Sequence, residues 1–372
     1  MAKLIYDSTK NRDLFYAVKI DIVDPFFFLN TGGKSYVFLD HRDLGVFQEQ
    51  NKNPDLEGVL LNPLLEEVRS GEVDVSPVNL LALLLLERYG VKGERLEVPF
   101  RFPLPVADFL REKGVELLVK DPFFPERARK APEEIAAIRS VVGKIEHAFF
   151  LIEEILKNST IEGERIVYRG EELTSEFLKN AVHILFLQQG LFNEDGIIIS
   201  SGTQTAIPHH EGSGALFPNQ PIICDIFPRD RETGYFADLT RTFVKGEPSE
   251  ELQKMYEAVL RSQEVGIAVL KPGAKASEVH VACAQALLEA GYEAGEKGFV
   301  HSAGHGIGLE VHELPHLGAF SQDVLAPGNT VTVEPGLYYP EIGGIRLEDD
   351  FLITENGSEQ LSRYPKDQWA IP

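Results

Sequence analysis

Four acidic residues set inside apolar, β-branched runs constrain this chain more than any other feature. Pro221-Ile-Ile-Cys-Asp225 is followed by a polar turn, Pro228 to Thr233, and then by Tyr235-Phe-Ala-Asp238-Leu-Thr-Arg-Thr-Phe243. Thr330-Val-Thr-Val-Glu334 is followed by a turn, Tyr339 to Gly343, and then by Ile345-Arg-Leu-Glu348-Asp-Asp-Phe-Leu-Ile353. Each segment reads as a β-hairpin, two apolar runs on either side of turn residues, with one carboxylate per strand. The carboxylates are 13 and 14 residues apart. Folding at the turns is expected to bring Asp225 beside Asp238, and Glu334 beside Glu348.

Acids have low β propensity, and burying a bare carboxylate is expensive. Four converging on one pocket repel one another and raise each other's pKa. Two divalent cations remove both problems by balancing four negative charges. Oxygen ligands with one imidazole suit manganese, cobalt, zinc or iron. The imidazole lies between the hairpins, in Gly304-His305-Gly-Ile-Gly308-Leu-Glu-Val-His312-Glu-Leu-Pro-His316. Glycines on both sides of His305 let the backbone pass close to a metal.

These motifs resemble the metal-dependent aminopeptidase and prolidase family of the pita-bread fold. Its five ligands, Asp, Asp, His, Glu and Glu in chain order, fall on Asp225, Asp238, His305, Glu334 and Glu348. The surroundings match as well: Asp-Leu-Thr-Arg-Thr at 238–242, Gly-His-Gly-Ile-Gly at 304–308, Glu-Pro-Gly-Leu-Tyr at 334–338 and Ile-Arg-Leu-Glu-Asp at 345–349. The turn after Asp225 is about two residues longer than the family's usual connection, a change a hairpin tip absorbs. The resemblance implies an α/β (α+β) chain: an N-terminal creatinase/prolidase-like domain, residues 1–125, then a pita-bread catalytic domain, residues 126–372. It also implies that the N-terminal domain shapes the substrate cleft or a homodimer interface.

A length of 372 residues favours two domains over one core. In the first 125 residues, Pro25–Asn30 and Ser35–Leu39 read as strands joined at Gly32-Gly33, Val78–Arg88 and Val106–Lys113 as helices, and Gly114–Val119 as a strand. Asp121–Pro132, rich in proline and basic residues, reads as the linker. Helices follow from Pro132 to about Lys157, with apolar residues every three or four positions, and over Glu172–Gln189, then a strand at Ile197–Ser200. After the first hairpin come helices at Ser249–Leu270 and Ala276–Ala290, then the His305 segment and the second hairpin. Two helices followed by strands thus occur twice, which suggests an internal pseudo-two-fold.

A net charge of −22 argues against nucleic acid and anionic membrane partners. The N-terminus lacks a signal-peptide apolar core, and Leu80–Leu86 is too short to span a bilayer, so a cytoplasmic chain is expected. Two cysteines suggest no disulfide framework; Cys224 should face away from Asp225 as a buried thiol.

A rival zinc motif, His312-Glu-Leu-Pro-His316, spells H-E-x-x-H, but that pattern requires a helix, and Pro315 would break one. By resemblance, Asp238 and Glu348 bridge two ions, manganese first among the candidates. Asp225 holds one ion, and His305 with Glu334 the other. A water bridging the ions loses its proton near neutral pH and attacks the amide. Glu334 then shuttles the proton, and His312 contacts the substrate carbonyl. A histidine just before the first hairpin also belongs to the family pattern; His209 follows the proline as the pattern expects, while spacing leaves His210 open. His301, His316, Arg346, Tyr235 and Thr240 are expected on the substrate rim or behind the ligands. Prolidases often carry an arginine where this chain has His316, and a neutral imidazole is a poorer carboxylate clamp than a guanidinium. The expectation is therefore an aminopeptidase releasing the residue before proline, with prolidase as the alternative. Methionine aminopeptidases, which usually lack the N-terminal domain, match less well. A metal-free binding protein of the same fold is the alternative of another class; such proteins have replaced ligands that are all present here.

Overall fold

The computed structural model describes residues 1–69 and 75–372. They divide into two compact units, Met1–Arg127 and Ala128–Pro372. The fold is mixed α/β, as the motifs imply.

In the first unit, Phe26–Thr31 and Lys34–Leu39 pair antiparallel across a turn whose Gly32 and Gly33 have φ of 60° and 84°. Positive φ at both central positions is the requirement of a tight hairpin, and glycine meets it without a Cβ clash. The two strands belong to a six-stranded sheet that also includes Ala2–Asp7, Leu56–Leu60, Leu96–Pro99 and Leu117–Lys120. Alternate residues supply two cores. Leu4, Phe27 and Leu29 pack with Leu81 and Leu85 of the Pro77–Arg88 helix, while Ile5, Phe28 and Val37 pack with Leu14 and Phe47. Three of the six strands escape sequence reading because they are too short for alternation to mark them. Leu80–Leu86 lies within the twelve-residue Pro77–Arg88 helix, and among the described residues no helix is long and apolar enough to cross a membrane.

In the second unit, α1 (Pro132–Lys157) starts at the proline, and α2 (Ser175–Gln188) is capped by Thr174, whose Oγ1 accepts from Phe177 N–H. Proline suits the first helical turn, where its missing N–H has no partner to lose. Strands β1 (Ile198–Ser201), β2 (Pro221–Ile226) and β3 (Leu239–Lys245) pair antiparallel in that order. Next come α3 (Glu250–Val269), capped by Ser249, and α4 (Ala276–Glu289). The second sheet is built from β4 (His305–Gly306), β5 (Glu313–His316), β6 (Thr330–Val333), β9 (Asp349–Thr354) and β10 (Gly357–Gln360), in the order β5-β4-β6-β9-β10. Between β6 and β9 in the chain lies a two-stranded extension, β7 (Gly336–Tyr339) and β8 (Gly343–Arg346). The antiparallel run β1-β2-β3 corresponds to β4-β6-β9, each run preceded by two helices. A small three-stranded sheet over 160–172 interrupts the first half and has no counterpart in the second.

Candidate metal centre

The two hairpins present their acids differently. In the second, Val333 pairs with Asp349 and Gly336 with Arg346, a single register that sets Glu334 opposite Glu348. In the first, Asp225 pairs with Thr240, and Asp238 lies one residue beyond the last pair, Ile226 with Leu239. The expected side-by-side placement therefore holds for the glutamates but is offset for the aspartates. Thr240 fills the place opposite Asp225, two residues from Asp238 and on the same face.

His305 joins them from β4. Ligand atoms of Asp238, His305 and Glu348, all buried, lie within 4.8 Å of one another. His305 Nε2 is 3.3 Å from Glu334 Oε1 and 3.7 Å from Asp238 Oδ2. Its Nδ1 is 3.1 Å from the carbonyl oxygen of Gly306, which can only accept, so Nδ1 carries the proton and Nε2 is bare. Burial, with His312 next, pushes the His305 pKa down to about 3, so the ring is neutral. These are not ion pairs: a bare ring nitrogen faces two carboxylates.

The carboxylates are themselves underprovided. Asp225 Oδ1, Asp238 Oδ1 and Glu348 Oε1 are buried with no hydrogen-bond partner. Burial first, and then Glu348 and Asp225, push the Asp238 carboxyl well above the usual carboxylate range. Glu348 is raised by burial and then by Glu334 and Asp225. Burial pushes Glu334 up to about 8, with Arg346 pulling it down. Orphaned carboxylate oxygens converging on an imidazole lone pair form a donor set that the one guanidinium on Asp225 does not satisfy, and a divalent ion fits it.

Other side chains fix the orientation of these groups. Arg346 Nη2 donates to Asp225 Oδ2 at 2.6 Å, and its Nη1 to the Tyr338 hydroxyl at 2.7 Å. The Tyr338 hydroxyl donates in turn to His301 Nε2 at 2.9 Å, since His301 Nδ1 donates to Ser302 O. Thr240 Oγ1 donates to Glu348 Oε2 at 2.7 Å. The structure therefore brings Arg346, Thr240 and His301 to this centre. Tyr235 goes elsewhere: its hydroxyl donates to Glu134 in the first turn of α1, tying the first hairpin to that helix. Tyr235 precedes β3, outside its regular pleat, so strand position does not turn it toward Asp238. His312 stacks edge-on against His305, with ring centroids 4.4 Å apart. His210 Nδ1 accepts from Gly212 N–H and closes a local turn, whereas His209 is exposed and acts electrostatically on both His301 and His312. His316 is exposed on β5.

Glu313–His316 is strand and His312 lies just before it, so His312 and His316 share no helical face. The glycines around His305 also have a more immediate reason than a nearby metal. A Cβ on Gly304 would stand 2.1 Å from Thr332 O, and one on Gly306 would stand 2.3 Å from Leu314 O. Neighbouring strands require the missing side chains. Sequence reading overlooked Asp350, whose Oδ2 accepts from Asp238 N–H at 3.1 Å, although it stands two residues past Glu348 on the same strand face.

The sequence and the fold both have relatives among known proteins. The description of metallopeptidase family M24 matches residues 143–355. The chain is 40% identical over 171 residues to an uncharacterized peptidase, YqhT, of Bacillus subtilis, covering 46% of this chain and 47% of that protein. It is 39% identical over 166 residues to a Xaa-Pro dipeptidase of Pyrococcus furiosus, covering 45% and 47%. The matched stretch thus spans about half the length of these relatives. A solved Xaa-Pro dipeptidase from Bacillus anthracis superposes with a TM-score of 0.81 at 25% identity, over 99% of this chain and 94% of that one.

Proposed function

Because the chain belongs to metallopeptidase family M24, we propose that it hydrolyses the peptide bond preceding proline in short peptides, using two divalent ions. The observation that carries this reading is the set of orphaned buried oxygens on Asp225, Asp238 and Glu348, facing the bare Nε2 of His305. Asp225, Asp238, His305, Glu334 and Glu348 would hold the ions. Manganese is the first candidate, because the set is oxygen-rich with one imidazole.

When bound, the ions supply a Lewis acid for the scissile carbonyl and acidify the attacking water. The protein's own groups do the rest. Glu334 takes the proton of the attacking water on a carboxylate oxygen and passes it to the leaving nitrogen. His312 and His209 donate to the carbonyl oxygen as negative charge develops there. Arg346 and Thr240 hold Asp225 and Glu348 in fixed orientations, so little reorganisation accompanies the reaction.

The activity of the Pyrococcus furiosus relative, an Xaa-Pro dipeptidase, favours the same activity here. A second reading, an aminopeptidase acting on longer Xaa-Pro peptides, is favoured by His316, an exposed imidazole where a permanent cation would grip a dipeptide's carboxylate better. A panel of Xaa-Pro, Xaa-Pro-Yaa and Met-Xaa-Yaa peptides, assayed with each divalent metal, separates them. Turnover confined to Xaa-Pro gives the dipeptidase, and preference for Xaa-Pro-Yaa gives the aminopeptidase. Hydrolysis that persists after chelation would overturn the whole reading.

A further inference from the structure

We propose that Lys130 and Glu313 form a buried brace that positions His312, and that the brace governs turnover rather than metal retention. This rests on the reading of His312 as a residue facing the substrate carbonyl.

Lys130 Nζ is 2.9 Å from Glu313 Oε2, and the two side chains are only 1% and 5% exposed. The other oxygen, Glu313 Oε1, accepts from Leu309 N–H at 2.8 Å and Glu310 N–H at 3.1 Å. One carboxylate thus gathers the backbone of the loop running into His312, its own neighbour in sequence. The lysine end is anchored independently. Lys130 N–H donates to Gly328 O at 2.7 Å, and Asn329 Nδ2 to Ala128 O at 2.7 Å. The brace crosses directly over Gly308. A Cβ there would lie 2.5 Å from Glu313 Oε2 and 2.9 Å from Lys130 Cε. Gly308 is therefore small because the ion pair occupies its side-chain space, while its carbonyl accepts from Phe236 N–H at 2.7 Å. Glu313, the would-be general base of the H-E-x-x-H pattern, is instead used on both oxygens to hold a loop.

A buried ion pair is a stringent brace because removing either partner leaves the other's charge uncompensated, whereas removing both does not. A shift of about 1 Å in a group that acts on the reacting carbonyl can lower the rate by about 100-fold. Lys130 and Glu313 are thus positioning residues, whose effect passes through His312.

The test is a double-mutant cycle on the metal-loaded full chain: Lys130→Met, Glu313→Gln and the pair together. Each single change is expected to lower kcat by about 10- to 100-fold, with KM within about twofold and bound metal unchanged. The double variant, in which the amide oxygen still accepts from Leu309 and Glu310, should recover about tenfold. Unchanged kcat in both single variants overturns the proposal. So does a fall in kcat that tracks loss of metal, because the pair would then support the metal cage instead. Ring resonances of labelled histidine, assigned with His312→Ala, supply a readout independent of activity. The His312 signal should move in Lys130→Met and in Glu313→Gln while that of His301 stays in place. If the wild type hydrolyses no Xaa-Pro peptide, the proposed function falls, and the brace is still decided by that signal; an unmoved His312 resonance overturns it. Should Lys130→Met fail to fold, Glu313→Gln alone decides by the same readings.

Discussion

Glu348 and Asp349 are neighbours in sequence, both buried and both acidic, yet they point to opposite faces of the sheet and meet opposite conditions. Asp349 is saturated. Its Oδ1 accepts from Arg241 Nη2 at 2.6 Å and from the Ser362 hydroxyl, and its Oδ2 from Lys366 Nζ at 2.7 Å and Gln263 Nε2 at 3.1 Å. Burial alone would raise its pKa, but Arg241 and Lys366 outweigh that and hold the carboxyl below its usual value. Glu348 receives one hydroxyl, has one orphaned oxygen and is raised well above its usual value by burial. The chain sets Arg241 and Lys366 beside one buried acid and a single hydroxyl beside the other. Partner count, rather than burial or charge, separates these two acids.

The largest test of that contrast is Asp238→Ala. It should abolish metal binding and bring hydrolysis to background while circular dichroism stays native. Its metal-free form should melt above the metal-free wild type, because one of several repelling buried carboxylates is gone. Retention of both ions would erase the distinction between the two faces. On the saturated face, Arg241→Met leaves Asp349 short of one cation and should cost about 3–5 kcal/mol in denaturant unfolding, with or without metal. A penalty that appeared only in the loaded protein would make Arg241 part of the metal site.

His312→Ala sharpens the boundary of the centre. His312 touches His305 but is not one of the orphaned acids, so both ions should stay while kcat falls by about 100- to 1,000-fold. The smallest effect is expected at a pair near the surface, only partly buried on its lysine side. Lys144 Nζ donates to Asp230 near the tip of the first hairpin at 2.6 Å. Burial would raise Asp230, but the bonds from Lys144 and Thr233 outweigh it and lower the pKa. That stabilisation is present above the ordinary carboxylate range and is lost as pH falls through the lowered folded value. Lys144→Met should remove less than about 1 kcal/mol at neutral pH and move the acid-unfolding midpoint upward.

Much of this centre could be read from residue order, for a physical reason. Asp225, Asp238, Glu334 and Glu348 stand out because acids are costly in apolar strands, and that cost is a local property. The helix Pro132–Lys157 was readable from apolar spacing after a proline, and Glu250–Val269 from its Ser249 cap. The strand Ala2–Asp7 and the small sheet over 160–172 were not, because short runs of few residues give no periodicity to detect.

By itself, then, the sequence determined which acids and which imidazole were available, their order, and that two hairpins would present them. These follow from propensity, turn chemistry and the alternation of strands, all of which act between near neighbours. The tertiary structure alone decided the offset that sets Thr240 opposite Asp225, the departure of Tyr235 to Glu134, and the saturation of Asp349 beside an unsaturated Glu348. It also joined Lys130 to Glu313 across 183 residues. A buried group's donors arrive from strands and helices far along the chain, and only packing determines which of them reach it.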